Sequence, residues 1–237
     1  MDYRKPAIFG QNWSPSRYQV LPYFAEEKAR LTQPGSERIL DLGCAAGWNM
    51  SRFRQYGRAP LGLDVVWERV RLARAQGPVM LASGLDIPLA DGSLDVVYVQ
   101  HVLHHIGDAP RALSQAWRCL RPGGLLFLVE TVEDNPIIHW GRQLHGSWLG
   151  DAITAPFSFQ QLQAWVTAAG FQVEATQQFS VLFWLWEIGP DHWSWLEKLT
   201  PLFVRLERRL ARRWRRYGAH CFVAATKPMA SAAERAT

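Results

Sequence analysis

Three groups of residues in this 237-residue chain have the types and the spacing for chemistry. The first is Ile39-Leu-Asp41-Leu-Gly43-Cys44-Ala45-Ala-Gly47-Trp-Asn49, a short apolar run that carries an acid and opens into small residues. Glycine and alanine after a strand let a ligand reach the backbone and the N-terminus of a following helix, where a bulky side chain would hold it off. The second is Asp64, which closes Leu61-Gly-Leu-Asp64 21 residues after Gly43, with Val65 beside it. A carboxylate there accepts two hydrogen bonds from the vicinal hydroxyls of a ribose; its alternative role is to cap the helix that follows. The third is Gln100-His101-Val-Leu-His104-His105-Ile106. Imidazole titrates near working pH, so His101 or His105 can take a proton from a hydroxyl; alternatively His104 and His105 only orient loops. The histidines lack metal-ligand spacing, and no metal site is expected.

Such residues need a frame that gathers strand ends. Ile39 to Leu42 reads as a buried parallel strand, followed by a helix over Asn49 to Tyr56. Leu61 to Asp64 predicts a second strand, Trp67 to Ala75 a helix and Pro78 to Leu81 a third strand. Asp95 to Val99 is β-branched and predicts the fourth. Asp108 is a suitable N-cap and Pro110 fits an opening turn, so a helix runs to Leu120 with Leu113 and Trp117 on its apolar face. Arg121-Pro-Gly-Gly124 stops it, and Leu125 to Glu130 is a fifth strand. Ser158-Phe-Gln-Gln161 is a capping box opening a helix through Ala169, which Gly170 ends. Phe171 to Phe179 and Cys221 to Thr226 supply the sixth and seventh strands, and Tyr18 to Arg30 a helix on the sheet edge. Alternating strands and helices predict an α/β doubly wound sheet with its ligand over the carboxyl ends of the strands.

The pattern Asp41-x-Gly43-x-Ala45-x-Gly47 resembles the first motif of class I S-adenosylmethionine (SAM)-dependent methyltransferases, in the variant with alanine for the middle glycine. Ser83-Gly84-Leu85-Asp86-Ile-Pro88-Leu-Ala-Asp91-Gly92-Ser-Leu-Asp95-Val-Val is similar to the family's Asp-Ala-Glu-x-Leu-Pro-Phe-x-Asp-Gly-x-Phe-Asp-Val-Val block, and Leu120-Arg-Pro-Gly-Gly-x-Leu to its late motif. The resemblance runs from Ile39 to Glu130, more weakly to Phe179 and again over Cys221 to Thr226, and is closest to the group of ubiquinone/menaquinone-biosynthesis methyltransferases. It implies a Rossmann-like, seven-stranded sandwich with SAM as cofactor. The implied cofactor contacts are Asp41, Gly43, Cys44, Ala45 and Gly47 at the turn, Asp64 with Val65 at the ribose, Ser83, Gly84 and Leu85 at the adenine, and Gln100 at the methyl end. His101 and His105 are the implied catalytic residues. Ser83 departs from the family, which usually has an acid there; serine is a neutral, shorter acceptor, and Asp86 can substitute if the loop curls back. The turn falls short of the Gly-x-Gly-x-x-Gly dinucleotide fingerprint, and the spacing to Asp64 alone serves SAM and a nicotinamide cofactor alike.

A hydrophobic fraction of 48% and a charged fraction of 20% suit one globular domain. Its parts are a lead-in (1–36), a core (37–179 and 220–228) with an acceptor-side connection (131–157), an insertion (180–219) and a tail (229–237). Three scattered cysteines, and no charged-then-apolar leader in Met1 to Gly10, point to a reducing, cytoplasmic setting. No uninterrupted apolar run approaches the roughly 18 residues of a spanning helix. The net charge of +5 belongs to one segment: seven arginines lie between Arg205 and Arg216, with Glu207 the only acid among them. Thr200 as N-cap and Pro201 at the first position start a helix there, and Phe203, Leu206, Leu210, Trp214 and Tyr217 form an apolar stripe. Trp184, Trp186, Trp193 and Trp195 crowd just upstream. A basic amphipathic helix beside tryptophans fits residues 201–217 lying on the inner, anionic face of a membrane. The alternatives are a solvated face and nucleic acid, the latter disfavoured because the charge sits in one helix and not along a groove with stacking aromatics. The expected activity is methyl transfer to the oxygen or carbon of a small hydrophobic or lipid-like acceptor. The alternatives are an RNA methyltransferase using the arginine helix and a non-catalytic SAM- or nucleotide-binding protein.

Overall fold

The structure is a computed structural model that describes residues 22–137, 139–140, 155–181 and 199–229. The elements are α1 (Pro22–Leu31), β1 (Ile39–Leu42), α2 (Trp48–Gln55), β2 (Leu61–Asp64), α3 (Trp67–Ala73), β3 (Val79–Leu81), β4 (Leu94–Gln100), α4 (Ala109–Cys119), β5 (Leu120–Thr131), α5 (Phe159–Ala168), β6 (Gln172–Phe179), α6 (Thr200–Trp214) and β7 (His220–Thr226). They form one seven-stranded sheet in the order β3-β2-β1-β4-β5-β7-β6. The first five strands are parallel, and β7 runs antiparallel between β5 and β6. Strand order reverses between β1 and β4, so the crevice for a ligand opens above Leu42 and Val99, which pair in register.

The period of two sorts side chains to the two faces of the sheet. Val97, Val99, Leu126, Leu128, Val223 and Ala225 pack with α4 and α5 on one face. Val96, Tyr98, Phe127, Val129, Phe222 and Ala224 pack with α1 and Phe53 of α2 on the other. Every residue of β4 is buried, and its middle, Val96 to Val99, reads as a continuous apolar run.

The local signals hold at two of the three predicted caps. Asp108 accepts the Arg111 N–H, and Ser158 and Gln161 exchange both hydrogen bonds of a capping box. Two expectations need correction. Strand β5 begins at Leu120, which pairs with Leu94; the chain then bulges through Arg121–Gly124 before Leu125 resumes the ladder opposite Val96. The bulge is fixed by Asp95, which accepts from Arg38 and Arg121. The N-cap of α6 is Leu199, with Pro201 inside the first turn, where its missing N–H has no intrahelical acceptor to lose. Expectations for the chain before Pro22, for residues 141–154 and for the tryptophan-rich stretch 182–198 lie outside the described residues.

Candidate functional site

The turn after β1 is built by backbone strain and by one carboxylate. Gly43 and Gly47 have φ of 75° and 86°, and Ala45 between them has φ 47°. The N–H groups of Gly43 and Cys44 both donate to Leu63 O, at 2.7 and 2.9 Å, tying the turn to the end of β2. Asp64 holds the same corner: Oδ2 accepts from Ala45 N and Oδ1 from Val66 N, each at 2.9 Å. Asp64 is therefore not an N-cap of α3, whose cap is Val66. A carboxylate offers about four lone-pair directions, so its two backbone bonds leave capacity for ribose hydroxyls. Val65 is 63% exposed just past Asp64, an apolar surface for a flat base to cover.

The glycines are also required by packing within the chain. A Cβ on Gly43 would lie 2.3 Å from Val102 Cγ2, and one on Gly47 2.9 Å from Gln76 Cγ. Close packing within the protein, together with positive φ, demands glycine at both. Cys44 turns its side chain into a small cluster with Met50 and Ala73, and burial raises its thiol pKa. Only its backbone belongs to the turn. Asp41 is fully buried below it; Asn49 Nδ2 donates to Oδ1 at 3.1 Å. Asp41 Oδ2 and Asn49 Oδ1 are buried acceptors without a donor among the described residues. Both missing partners are donors, the complement of an ammonium such as that of SAM's amino-acid end, so the residues present fit the implied cofactor.

At the implied adenine edge, Ser83 Oγ accepts Leu85 N–H at 3.1 Å and Ser83 O accepts Asp86 N–H at 3.1 Å. The loop does curl back, with Asp86 exposed beside Ser83 and Gly84 buried. The Gln100 amide joins a buried network, with Oε1 3.0 Å from Tyr98 Oη and Nε2 3.4 Å from Tyr23 Oη. That network centres on Arg52 and Glu27 and links α1 to the end of β4.

Beyond β4 the structure assembles a cluster from the ends of β4 and β5. Glu130, at the carboxyl end of β5, is fully buried. Its Oε1 accepts the N–H groups of Val102 and Leu103, each at 2.9 Å, and its Oε2 lies 2.7 Å from His104 Nδ1. Facing a carboxylate, Nδ1 is the protonated nitrogen of His104. Burial alone would raise the Glu130 pKa, but the His104 hydrogen bond, the charges of His104 and His101 and the Leu103 N–H outweigh it and hold it below the ordinary glutamate value. His101 is half-buried with φ 53°, a strained backbone for a non-glycine residue. Its Nδ1 is 3.2 Å from Thr131 Oγ1, and its ring lies 6.0 Å from that of His104 and 5.4 Å from that of His220. His105 is exposed, its ring 4.1 Å from His104. His101 is thus inside the cluster and His105 is at its outer side.

No metal was expected, yet His101, His104 and Glu130 bring ligand-type atoms within 4.8 Å of one another. Both Glu130 oxygens face nitrogen groups of the chain, Oε1 the N–H of Val102 and Oε2 the Nδ1 of His104. The sequence signal for Glu130 was an acid ending an all-apolar run; its pairing with a histidine on another strand end left no local trace.

Comparison with known proteins agrees with this geometry. Residues 40–128 match the methyltransferase domain family. An uncharacterized methyltransferase of Mycobacterium bovis is 32% identical over 142 residues, 56% of this chain and 58% of that protein. The O-methyltransferase cnsE of Penicillium expansum is 32% identical over 121 residues, 47% of this chain and 44% of that one. The chain thus spans about half the length of these curated relatives. The crystal structure of a SAM-dependent methyltransferase from Archaeoglobus fulgidus has a TM-score of 0.62 at 18% identity, over 86% of this chain and 94% of that one. Likeness at that identity shows the fold, a Rossmann-like seven-stranded sandwich, and not the substrate.

Proposed function

We propose that this chain, whose residues 40–128 form a methyltransferase domain of the class I SAM-dependent kind, moves the methyl group of SAM to a hydroxyl of a small, apolar acceptor. SAM is the cofactor of this domain, and when bound it supplies an electrophilic methyl on a sulfonium that leaves readily. The observation that carries the hydroxyl reading is the His101–His104–Glu130 cluster beyond β4. Gly43, Ala45 and Gly47 shape the cofactor turn, Asp64 holds it and offers acceptors to the ribose, and Asp41 with Asn49 receives the ammonium.

As the acceptor oxygen bonds to the methyl carbon, its proton must leave. His101 is the half-buried member of the cluster, the one an acceptor can touch, and the charged Glu130 favours a positive imidazole beside it. His104 fixes Glu130 from the other side and acts by positioning. Support for an oxygen acceptor also comes from the relative named an O-methyltransferase.

With phenols and long-chain alcohols as acceptors, His101→Asn is expected to lower kcat by about 10²–10⁴-fold and to remove the near-neutral limb of the pH–rate profile. SAM affinity should stay unchanged. Full activity in the variant would contradict a base at His101 and favour an activated ring carbon, which needs only positioning. A chelator should leave the wild-type rate intact; loss restored by a divalent ion would recast the cluster as a metal site.

A further inference from the structure

We propose that α6 docks the protein on an anionic lipid surface. The helix carries three kinds of side-chain row at the four-residue repeat that stacks positions along one face. Phe203, Glu207 and Ala211 form the row turned to the body: all are half-buried, and Phe203 packs against the aromatic cluster of the sheet. Arg208, Arg212 and Arg216 form a second row and Arg205, Arg209 and Arg213 a third, all exposed, with Arg215 beside them. Next to the third row stand Leu202 and Leu206, 59% and 42% exposed, with Trp214, 47% exposed, two turns further on. The apolar stripe expected from sequence is therefore split: Phe203 and Leu210 turn toward the body, while Leu206 and Trp214 do not.

Three features select the partner. None of the seven guanidiniums forms an ion pair with a carboxylate among the described residues. Glu207, the one acid of the segment, is turned inward and accepts Val181 N–H at 2.7 Å, so the outer face carries a single sign of charge. An apolar row beside the arginines is what a bilayer interface takes up, with lipid phosphates meeting the guanidiniums and acyl chains meeting leucine and tryptophan. A nucleic-acid backbone would use the arginines and leave Leu202 and Leu206 in water. No helix among the described residues is long and apolar enough to cross a membrane, so the contact is interfacial.

The helix is also held where docking serves the site. Asn135 Nδ2 donates to Val181 O at 3.3 Å and to Tyr217 O at 2.9 Å, clamping the start and the return of the insertion together. The chain then enters β7 at His220, whose ring is 5.4 Å from that of His101. The basic helix thus hangs from the carboxyl edge of the sheet, the edge on which an acceptor would arrive.

The test is co-sedimentation of the full chain with vesicles of phosphatidylcholine alone and of phosphatidylcholine mixed with phosphatidylglycerol. Binding is expected only to the mixed vesicles. Arg208→Gln, Arg209→Gln, Arg212→Gln and Arg213→Gln together should weaken it on the order of 100-fold or more, from about five-fold per charge. Leu202→Ser with Leu206→Ser, which keeps every charge, should weaken it at least ten-fold. Circular dichroism and SAM titration should show both variants folded with an unaltered cofactor site. Wild type that ignores the vesicles, or the leucine variant binding like wild type, would overturn the proposal. So would tight, salt-sensitive RNA binding that the arginine variant loses without lipid binding in the wild type, which would assign the helix to nucleic acid.

Discussion

Replacing Glu27 by alanine is expected to destabilise the folded protein by about 3–5 kcal/mol. Glu27 is fully buried on α1 and receives both Arg52 Nε at 2.9 Å and Arg52 Nη2 at 2.7 Å. Tyr98 Oη donates to it at 2.5 Å and Tyr56 Oη at 3.2 Å. Removing the carboxylate strands a guanidinium that is about nine-tenths buried beneath Phe24, Trp48, Phe53 and Tyr98. The cost is that of an uncompensated buried charge, which exceeds what the pair contributes over an apolar replacement. Glu27→Leu combined with Arg52→Met is therefore expected to cost less than Glu27→Ala alone, in denaturant titrations of the three variants. A Glu27→Ala loss below about 1 kcal/mol, the range of an exposed pair, would contradict this. Because Gln100 belongs to the same network and precedes His101, the variant should also loosen the edge of the site.

The second large effect is a pH dependence set by Asp41. Burial pushes its carboxyl pKa up to about 7, against the pull of the Asn49 hydrogen bond and the Arg52 charge. In the unfolded chain an aspartate titrates near 3.9. Between about pH 4 and 7 the unfolded chain ionises while the folded one keeps its proton. The folded state then binds more protons, so stability is full below the lower value and falls as pH rises to the upper one. The loss is on the order of 4 kcal/mol, and stability is flat in this term above pH 7. Asp41→Asn should remove it, leaving the variant more stable than wild type at pH 8 and little changed at pH 4. If the two proteins keep a constant stability difference from pH 4 to 8, Asp41 does not carry this proton. If Asp41 receives the cofactor ammonium, as proposed, that charge favours the ionised carboxylate, and SAM binding near pH 6 should release a proton, read as a dependence of the binding heat on buffer ionisation enthalpy.

Much of the fold was legible because its causes are local. The buried middle of β4, Val96 to Val99, reads as an apolar run, Asp108 and Ser158 announce helix starts within three residues, and Asp64 is marked by ending a short strand. The candidate site was legible where chain position decides the geometry, as with the Asp41–Gly47 turn after β1 and the place of His101 just beyond β4. It was not legible where a partner comes from a distant strand or helix. His104 and Glu130 are 26 residues apart, Arg52 and Glu27 25, and Asn135 and Tyr217 82. Nothing in the neighbourhood of any one of them specifies the other. The faces of α6 stay open in the sequence for the same reason: helical spacing groups Leu206 with Phe203, while the fold half-buries Phe203 and leaves Leu206 exposed. Ser83 shows a third kind of limit, since sequence gives the lost acid while only the structure shows its hydroxyl already accepting Leu85 N–H.

The most direct test is calorimetric titration of SAM and, separately, NADH into the wild type and Asp64→Ala. SAM is expected to bind the wild type, NADH is not, and SAM affinity should fall about 10- to 150-fold in the variant, the range for hydrogen bonds to a charged group. Binding of NADH in place of SAM, or an Asp64→Ala variant that binds SAM as wild type does, would contradict a SAM site built on the β1 turn and held by Asp64.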